Sequence, residues 1–364
     1  MQRVQNNVDL RSIMMMHAGL YPEMQIQDMV KLIFQNEFAG GHFISNEQKS
    51  LYRLLDEYEA VRQAGKRPGA GSFFTDIGNG LCRLDISVLG DTDINPSTVN
   101  RFFINTAKEV EGRMESFEEK LDVLRQCCIN GDLKYSLEEL EAYLDDYRRE
   151  GYPPVSHSEI YRDAYSPAYR IVKSDYRKHL KIFLAIDSLM RSKKNVVVAI
   201  DGNSGAGKST LAALIADVYD CNLFHMDDFF LRPEQRTEDR FKETGGFVDY
   251  ERFYQEVIQG LKSRKPFSYR VFDCRRMALG EVVRVEPKQL SIIEGSYSMH
   301  PTLAVSYDLK IFVHVNAMEQ ERRILKRNGK EMLKRFLNEW IPRENRYFEE
   351  MGIREQCHLV FENC

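Results

Sequence analysis

Long apolar runs are missing from this 364-residue chain. The longest uninterrupted ones, such as residues 211–216, fall far short of the ~20 residues a membrane helix needs. Residues 13–16 are apolar, but no long apolar stretch with a cleavage site follows, so no secretory signal is visible. An excess of one charge is missing too. Lys and Arg number 51 against 55 Asp and Glu, a net charge of -4, and the pI is about 6.1. A generally basic nucleic-acid binder would usually exceed a domain pI of ~9. The seven cysteines are odd in number and include no CxxC, so reduced thiols are the simplest reading. The adjacent Cys127 and Cys128 read as small apolar residues on a buried helix. No repeat or low-complexity segment occurs. What remains is a soluble cytoplasmic protein with no membrane or nucleic-acid partner, a description compatible with a homo-oligomer.

What is present fills cores: 43% of residues are hydrophobic and 29% charged. At ~100–200 residues per domain, the length suggests two domains. Residues 1–190 hold 23 basic against 29 acidic side chains, and residues 191–364 hold 28 against 26. The second part is the better place for an anionic ligand.

The first part reads as a mostly α-helical domain over 1–150. Apolar residues recur at three-to-four spacing over 10–16, 24–38 and 49–61. Residues 64–72 form a Gly/Pro-rich loop. Asn95-Pro96-Ser97 opens a helix over 98–128, stopped by Asn130-Gly131. Ser136-Leu137-Glu138-Glu139 is a capping box for a helix to about 149. A boundary is expected at Gly151-Tyr152-Pro153-Pro154. Residues 151–173 then form a linker whose 161–170 segment interleaves Tyr with Arg, and a helix over 174–190 opens a second domain, 174–364. Glu37-Phe38-Ala39-Gly40-Gly41-His42 is suggestive, but no metal site is expected there. Asp76-Ile77-Gly78-Asn79-Gly80 reads as a turn.

From residue 195 the texture changes. Val196-Val197-Val198-Ala199-Ile200 is a β-branched run suited to a strand buried on both faces. Further strands are expected at 222–226, 268–272, 290–293, 309–315 and 358–361, with helices over 209–218 and 250–261. This alternation indicates an α/β fold with a doubly wound parallel sheet.

Gly202-Asn203-Ser204-Gly205-Ala206-Gly207-Lys208-Ser209 matches G-x-x-x-x-G-K-[ST] in full, between a strand and a helix that begins Thr210-Leu211. This is the loop of a P-loop NTPase fold. Its amides curl round phosphate at a helix N-terminus. Lys208 reaches the β- and γ-phosphates, and the Ser209 hydroxyl ligates Mg²⁺. The loop alone says ATP or another nucleoside triphosphate.

Acidic residues at strand ends narrow the reading. His225-Met226-Asp227-Asp228 follows one strand, and Glu294-Gly295 ends another. Ligands of open α/β sheets bind beyond the carboxyl ends of the strands. Asp227, Glu294, Lys208 and Ser209 should therefore converge as a phosphoryl-transfer site. Asp228 is either a helix cap or the alternative to Asp227.

Residues 195–364 resemble the uridine kinase / phosphoribulokinase branch of the P-loop kinases. The strand and loop of residues 198–209 carry the likeness, with Met226-Asp227-Asp228-Phe229-Phe230, Ile292-Ile293-Glu294-Gly295, and Leu309-Lys310-Ile311-Phe312-Val313 before a helix bearing Arg322, Arg323 and Arg327. The resemblance implies that Asp227 is general base for an acceptor hydroxyl, that Ser209 and Glu294 hold Mg²⁺, and that Arg323 and Arg327 contact phosphates from a lid. Two segments depart from the family. Gly246-Phe247-Val248-Asp249 stands in its acceptor segment, where Asp249 takes a sugar hydroxyl. Val271-Phe272-Asp273-Cys274-Arg275-Arg276 stands for its aromatic-Asp segment, so Phe272, Asp273 and Arg275 are acceptor-side candidates. The expected activity is γ-phosphate transfer from ATP to a small-molecule hydroxyl, a nucleoside such as uridine leading. Another sugar or a vitamin alcohol is the alternative acceptor. A nucleotide-gated regulatory module is the alternative class.

Overall fold

The structure, a computed structural model, describes residues 2–40, 46–64 and 72–363, with side chains from residue 10 onward. It divides into two compact units, Met1–Leu184 and Ala185–Cys364.

The first unit is helical with a small sheet. Its longer helices are Gln2–Leu20, Ile26–Phe38, Glu47–Gln63, Pro96–Glu109, Met114–Ile129 and Leu137–Arg149. The capping box at Ser136 forms as expected: its side chain meets the Glu139 amide while the Glu139 carboxylate returns to Ser136. Met24, Met29, Phe117, Leu121 and both Cys127 and Cys128 are buried in one core. The single helix expected over 98–128 is two helices. The chain leaves the helical region at Val110, and the buried Glu37 carboxylate accepts the Arg113 N–H at 2.8 Å and the Ser116 hydroxyl at 2.9 Å. That side chain supplies the start of the second helix with a partner from elsewhere in the chain.

Three short strands were not expected. These are β1 (Phe74–Gly78), β2 (Leu81–Asp85) and β3 (Tyr169–Lys173), antiparallel in that order. The turn read at 76–80 is the β1–β2 hairpin. β3 corrects the expected linker. The 151–173 segment belongs to the first unit, because β3 pairs along β2 from Leu81↔Lys173 to Asp85↔Tyr169. The helix expected over 174–190 breaks at His179 into Ser174–Lys178 and Leu180–Ser192. The second of these carries the division between units.

The second unit is built on five parallel strands: β4 (Val196–Gly202), β5 (Cys221–His225), β8 (Leu290–Glu294), β9 (Leu309–His314) and β10 (Leu359–Glu362). Between β5 and β8 in the chain come β6 (Phe267–Asp273) and β7 (Ala278–Val285). The sheet order is β10-β9-β4-β8-β5. Every residue of β4 is buried, which is why its sequence is apolar on both faces rather than alternating. The strand expected at 268–272 forms, but as β6 of a separate antiparallel hairpin with β7. The loop between β4 and the helix Lys208–Ala216 gives this unit a P-loop NTPase fold.

Candidate active site

The P-loop leaves the centre of the sheet. Gly202 has φ 142° and pairs with Val313, and a Cβ built on it would stand 1.9 Å from the Val313 carbonyl oxygen. Gly207 has φ 96° and caps the helix Lys208–Ala216, where a Cβ would meet Asn363. Only glycine fits these backbone positions.

Side chains from distant segments hold the loop. Glu344 is buried and accepts from the Ser204 amide at 2.9 Å, the Ser204 hydroxyl at 2.5 Å and the Ser296 hydroxyl at 2.8 Å. His314 meets Asn203 at 2.8 Å. Gln320 donates to the Ser204 carbonyl and Asn363 to that of Ala206. Asp201, fully buried at the end of β4, accepts from the Gly202 and Met299 amides and from the Tyr347 hydroxyl. Burial pushes its carboxyl up to about 6, against the opposing charge of Lys208.

Lys208 is buried, and its ammonium donates to the Gly202 carbonyl at 2.7 Å, the Asn203 carbonyl at 3.1 Å and the Ser296 hydroxyl at 3.2 Å. Ser209 donates to the Glu294 carboxylate at 3.1–3.2 Å. Thr210, the next residue, is exposed. Oε1 of Glu294, which Ser209 also contacts, meets His225 Nδ1 at 2.6 Å. That hydrogen bond, with the charges of Glu294, Asp228 and Asp227, raises the imidazole above its ordinary range.

The β4, β5 and β8 ends therefore bring together Lys208, Ser209, Glu294 and the Asp pair, as the strand-end reasoning expected. The turn Met226–Phe229 carries both aspartates. Asp227 makes no side-chain hydrogen bond among the described residues. The residue is exposed, yet the protein crowded around it raises its carboxyl, with Glu294 and Asp228 adding and Lys208 and His225 opposing. Asp228 is not a cap, because no side chain caps this turn. It accepts the Tyr269 hydroxyl at 3.4 Å, and its carbonyl takes an Arg252 N–H.

The other predicted residues divide. Arg323 lies against the loop, donating to the Gly205 carbonyl at 3.3 Å and the Asn363 carbonyl at 3.2 Å while paired with Glu319. Arg327 does not join it: the side chain is exposed and bonds to Asn328. Asp249 is 1% exposed and caps the helix Tyr250–Phe253 through the Arg252 amide. Its second oxygen faces the guanidinium Nε atoms of Arg252 at 3.6 Å and Arg232 at 3.9 Å. Asp249 is thus a buried helix cap through one oxygen, and its second oxygen has no hydrogen-bond partner among the described residues. Phe272 is buried beneath Arg236. Asp273 spends one oxygen on the Arg275 and Arg276 amides of the hairpin turn, which leaves Arg275 pointing to solvent. That turn still lies in the field of Asp227, whose charge, after burial, raises the Cys274 thiol. His42 and Gly41 lie outside the described residues.

Sequence reasoning missed His225 and Glu344. His225 carried a signal, since it immediately precedes the Asp pair at a strand end. Glu344 carried none: 140 residues separate it from Ser204.

Oxygen donors suited to Mg²⁺ are present. Ser209 and Glu294 are hard ligands within contact of each other, and Mg²⁺ takes one or two protein groups, completing its shell with water and phosphate. Among the described residues no helix is long and apolar enough to cross a membrane.

No family model and no curated protein matches the chain. Solved structures similar to it include a "Possible Uridine Kinase" from Bacillus stearothermophilus, 19% identical, covering 50% of this chain and 99% of that one with a TM-score of 0.38. A protein provisionally described as a fructose transport system kinase from a Silicibacter species is 24% identical over 46% of this chain and 90% of its own, with a TM-score of 0.36. A shikimate kinase from Bacteroides thetaiotaomicron is 19% identical over 46% and 86%, with a TM-score of 0.23.

Proposed function

We propose that residues 185–364 transfer the γ-phosphate of ATP to a hydroxyl of a small molecule, a nucleoside being the leading acceptor. The observation that carries this is the meeting of a complete P-loop with Asp227, Glu294 and His225 at the ends of adjacent strands. A loop that only sensed nucleotide would need no carboxylate on the acceptor side. Asp227 is such a group, without a hydrogen-bond partner among the described residues and raised above the ordinary carboxylate range, which makes it a better base.

In this reading the amides of residues 203–209 cradle the phosphates, and Lys208 exchanges its loop carbonyls for phosphate oxygens. Arg323, beside Gly205, adds charge. Ser209 and Glu294 hold Mg²⁺, which supplies neutralisation of phosphate charge when bound. His225 fixes the Glu294 carboxylate for that role. Asp227 accepts the acceptor's hydroxyl proton, and the β6–β7 hairpin with Phe272 and Asp273 walls the acceptor side. Another sugar or a vitamin alcohol would meet the same chemistry.

ATP consumption by the full chain across a panel of nucleosides and sugar alcohols tests this. One acceptor should stimulate turnover strongly, and Lys208→Ala should abolish it while leaving the fold intact. Turnover indifferent to every acceptor would favour a nucleotide-gated regulatory module.

A further inference from the structure

The first unit contains a cavity of about 350 Å³, walled by Lys31, Arg53, Phe103, Tyr169 and Arg170. Its charge is unusual. Lys31 is 8% exposed, and among the described residues its ammonium donates only to the Val155 carbonyl, at 2.6 Å. Burial and the neighbouring Arg83 push it down to about 8. Arg83 is 3% exposed, stacks on the Tyr169 ring at 4.7 Å, and has no carboxylate partner among the described residues. Its Nε and one terminal nitrogen donate to the Gln35 carbonyl, while the other terminal nitrogen is buried without a partner.

A hydrogen-bond chain fixes this arrangement. Asp28, fully buried, accepts from His157 Nδ1 at 2.8 Å and from Ser158. Burial drives the imidazole down to about 4, so it is neutral at pH 7. With its one proton on Nδ1, Nε2 must accept the Tyr169 hydroxyl proton, at 2.6 Å. The Tyr169 oxygen in turn accepts from Gln35 at 3.0 Å, which points the Gln35 carbonyl at Arg83. Five side chains thus hold one guanidinium in place.

The charges do not balance. Among the described residues that line the cavity, Lys31, Arg53 and Arg170 face one carboxylate, Glu57 on Arg170, and Arg83 stands behind the Tyr169 ring. Buried cations left uncompensated cost several kcal/mol each, and a fixed network that maintains them is not explained by packing. We propose that this cavity binds a dianionic oxyanion, the phosphate of a small phosphomonoester, independently of the P-loop. Two surplus cations match a dianion, an arginine fork matches its oxygens, and the Phe103 and Tyr169 rings offer a face to the organic part.

Calorimetric titration of ribose 5-phosphate and of inorganic phosphate into the full chain carrying Lys208→Ala tests the site with the P-loop's lysine removed, and variants in the cavity separate it from the loop amides. Saturable binding of both phosphates, absent for ribose, is expected. Arg53→Ala, on the exposed rim, and Lys31→Gln should each weaken it about tenfold, the loss of one charge-assisted contact. Saturable phosphate binding unchanged by both variants would overturn the assignment to this cavity. So would the absence of binding at millimolar phosphate. Tighter binding of malonate than of either phosphate would overturn the class of ligand.

Discussion

At the scale of single residues, the Asp pair separates chemistry from support. Asp227→Asn keeps the shape of the site and removes the base. Turnover should fall ~10²–10⁴-fold with ATP binding nearly unchanged, because Lys208, Ser209 and the loop amides remain. Asp228→Asn keeps an acceptor for the Tyr269 hydroxyl, so its effect should be far smaller. Single-turnover kinetics beside equilibrium ATP titration reads both; equal, severe losses would place Asp228 in the reaction as well. Two histidines of the first unit predict a pH response. Burial holds His157 down to about 4 and His17 to about 3. Each folded pKa lies below the unfolded value of ~6.5, so the unfolded chain takes up protons that the folded chain refuses. Stability is then complete above about pH 6.5 and is lost as pH falls toward 4, by roughly 3 kcal/mol for His157 alone. Calorimetric scans at pH 7.5, 6 and 5 should show one transition moving down, and His157→Gln should flatten that movement. A transition that stays fixed through pH 5 would mean that these rings are not held neutral.

At the scale of elements, two glycines make contrasting demands. Gly202→Ala drives a Cβ into the Val313 carbonyl, so β4 and β9 must part. A loss of more than ~4 kcal/mol is expected, with ATP binding gone. Gly329 sits at φ 78° and ψ 173°, at a break between two helical stretches within Ala317–Arg335, with open space where a Cβ would go. Gly329→Ala therefore meets backbone strain alone, about 1–3 kcal/mol. Urea denaturation of the two variants should separate a steric from a conformational cost, and equal losses would show that β4 and β9 yield freely. The same contrast explains what the sequence made legible. The P-loop and the five parallel strands announce themselves locally, through β-branched runs and a spacing that serves one purpose. The small strands β1, β2 and β3 do not. Each is five residues long, and β2 takes its second partner, β3, 90 residues away. The capping role of Asp249 was hidden for a related reason: a helix-capping carboxylate and a ligand carboxylate look alike in sequence until the neighbouring Arg252 and Arg232 are placed. Glu344 was invisible, because nothing near it in the chain signals the Ser204 amide.

At the scale of the whole molecule, the division at Leu184/Ala185 falls within one helix, Leu180–Ser192. A fragment of residues 180–364 keeps that helix whole and all five parallel strands. It should unfold cooperatively and bind ATP with an affinity close to that of the full chain. An insoluble fragment, or one blind to ATP, would show that the second unit depends on the first for its fold. The β10 strand sets a further condition. It pairs with β9, and the residue after it, Asn363, reaches back to the Ala206 carbonyl while Arg323 grips the Asn363 carbonyl. The ribosome makes the phosphate loop more than 150 residues before it makes this buttress. At about 5–20 residues per second, that is a wait of about 8–30 s. A nascent chain therefore carries its loop, glycines and lysine included, without this buttress through most of the second unit's synthesis, and full nucleotide capture waits for β10 and Asn363.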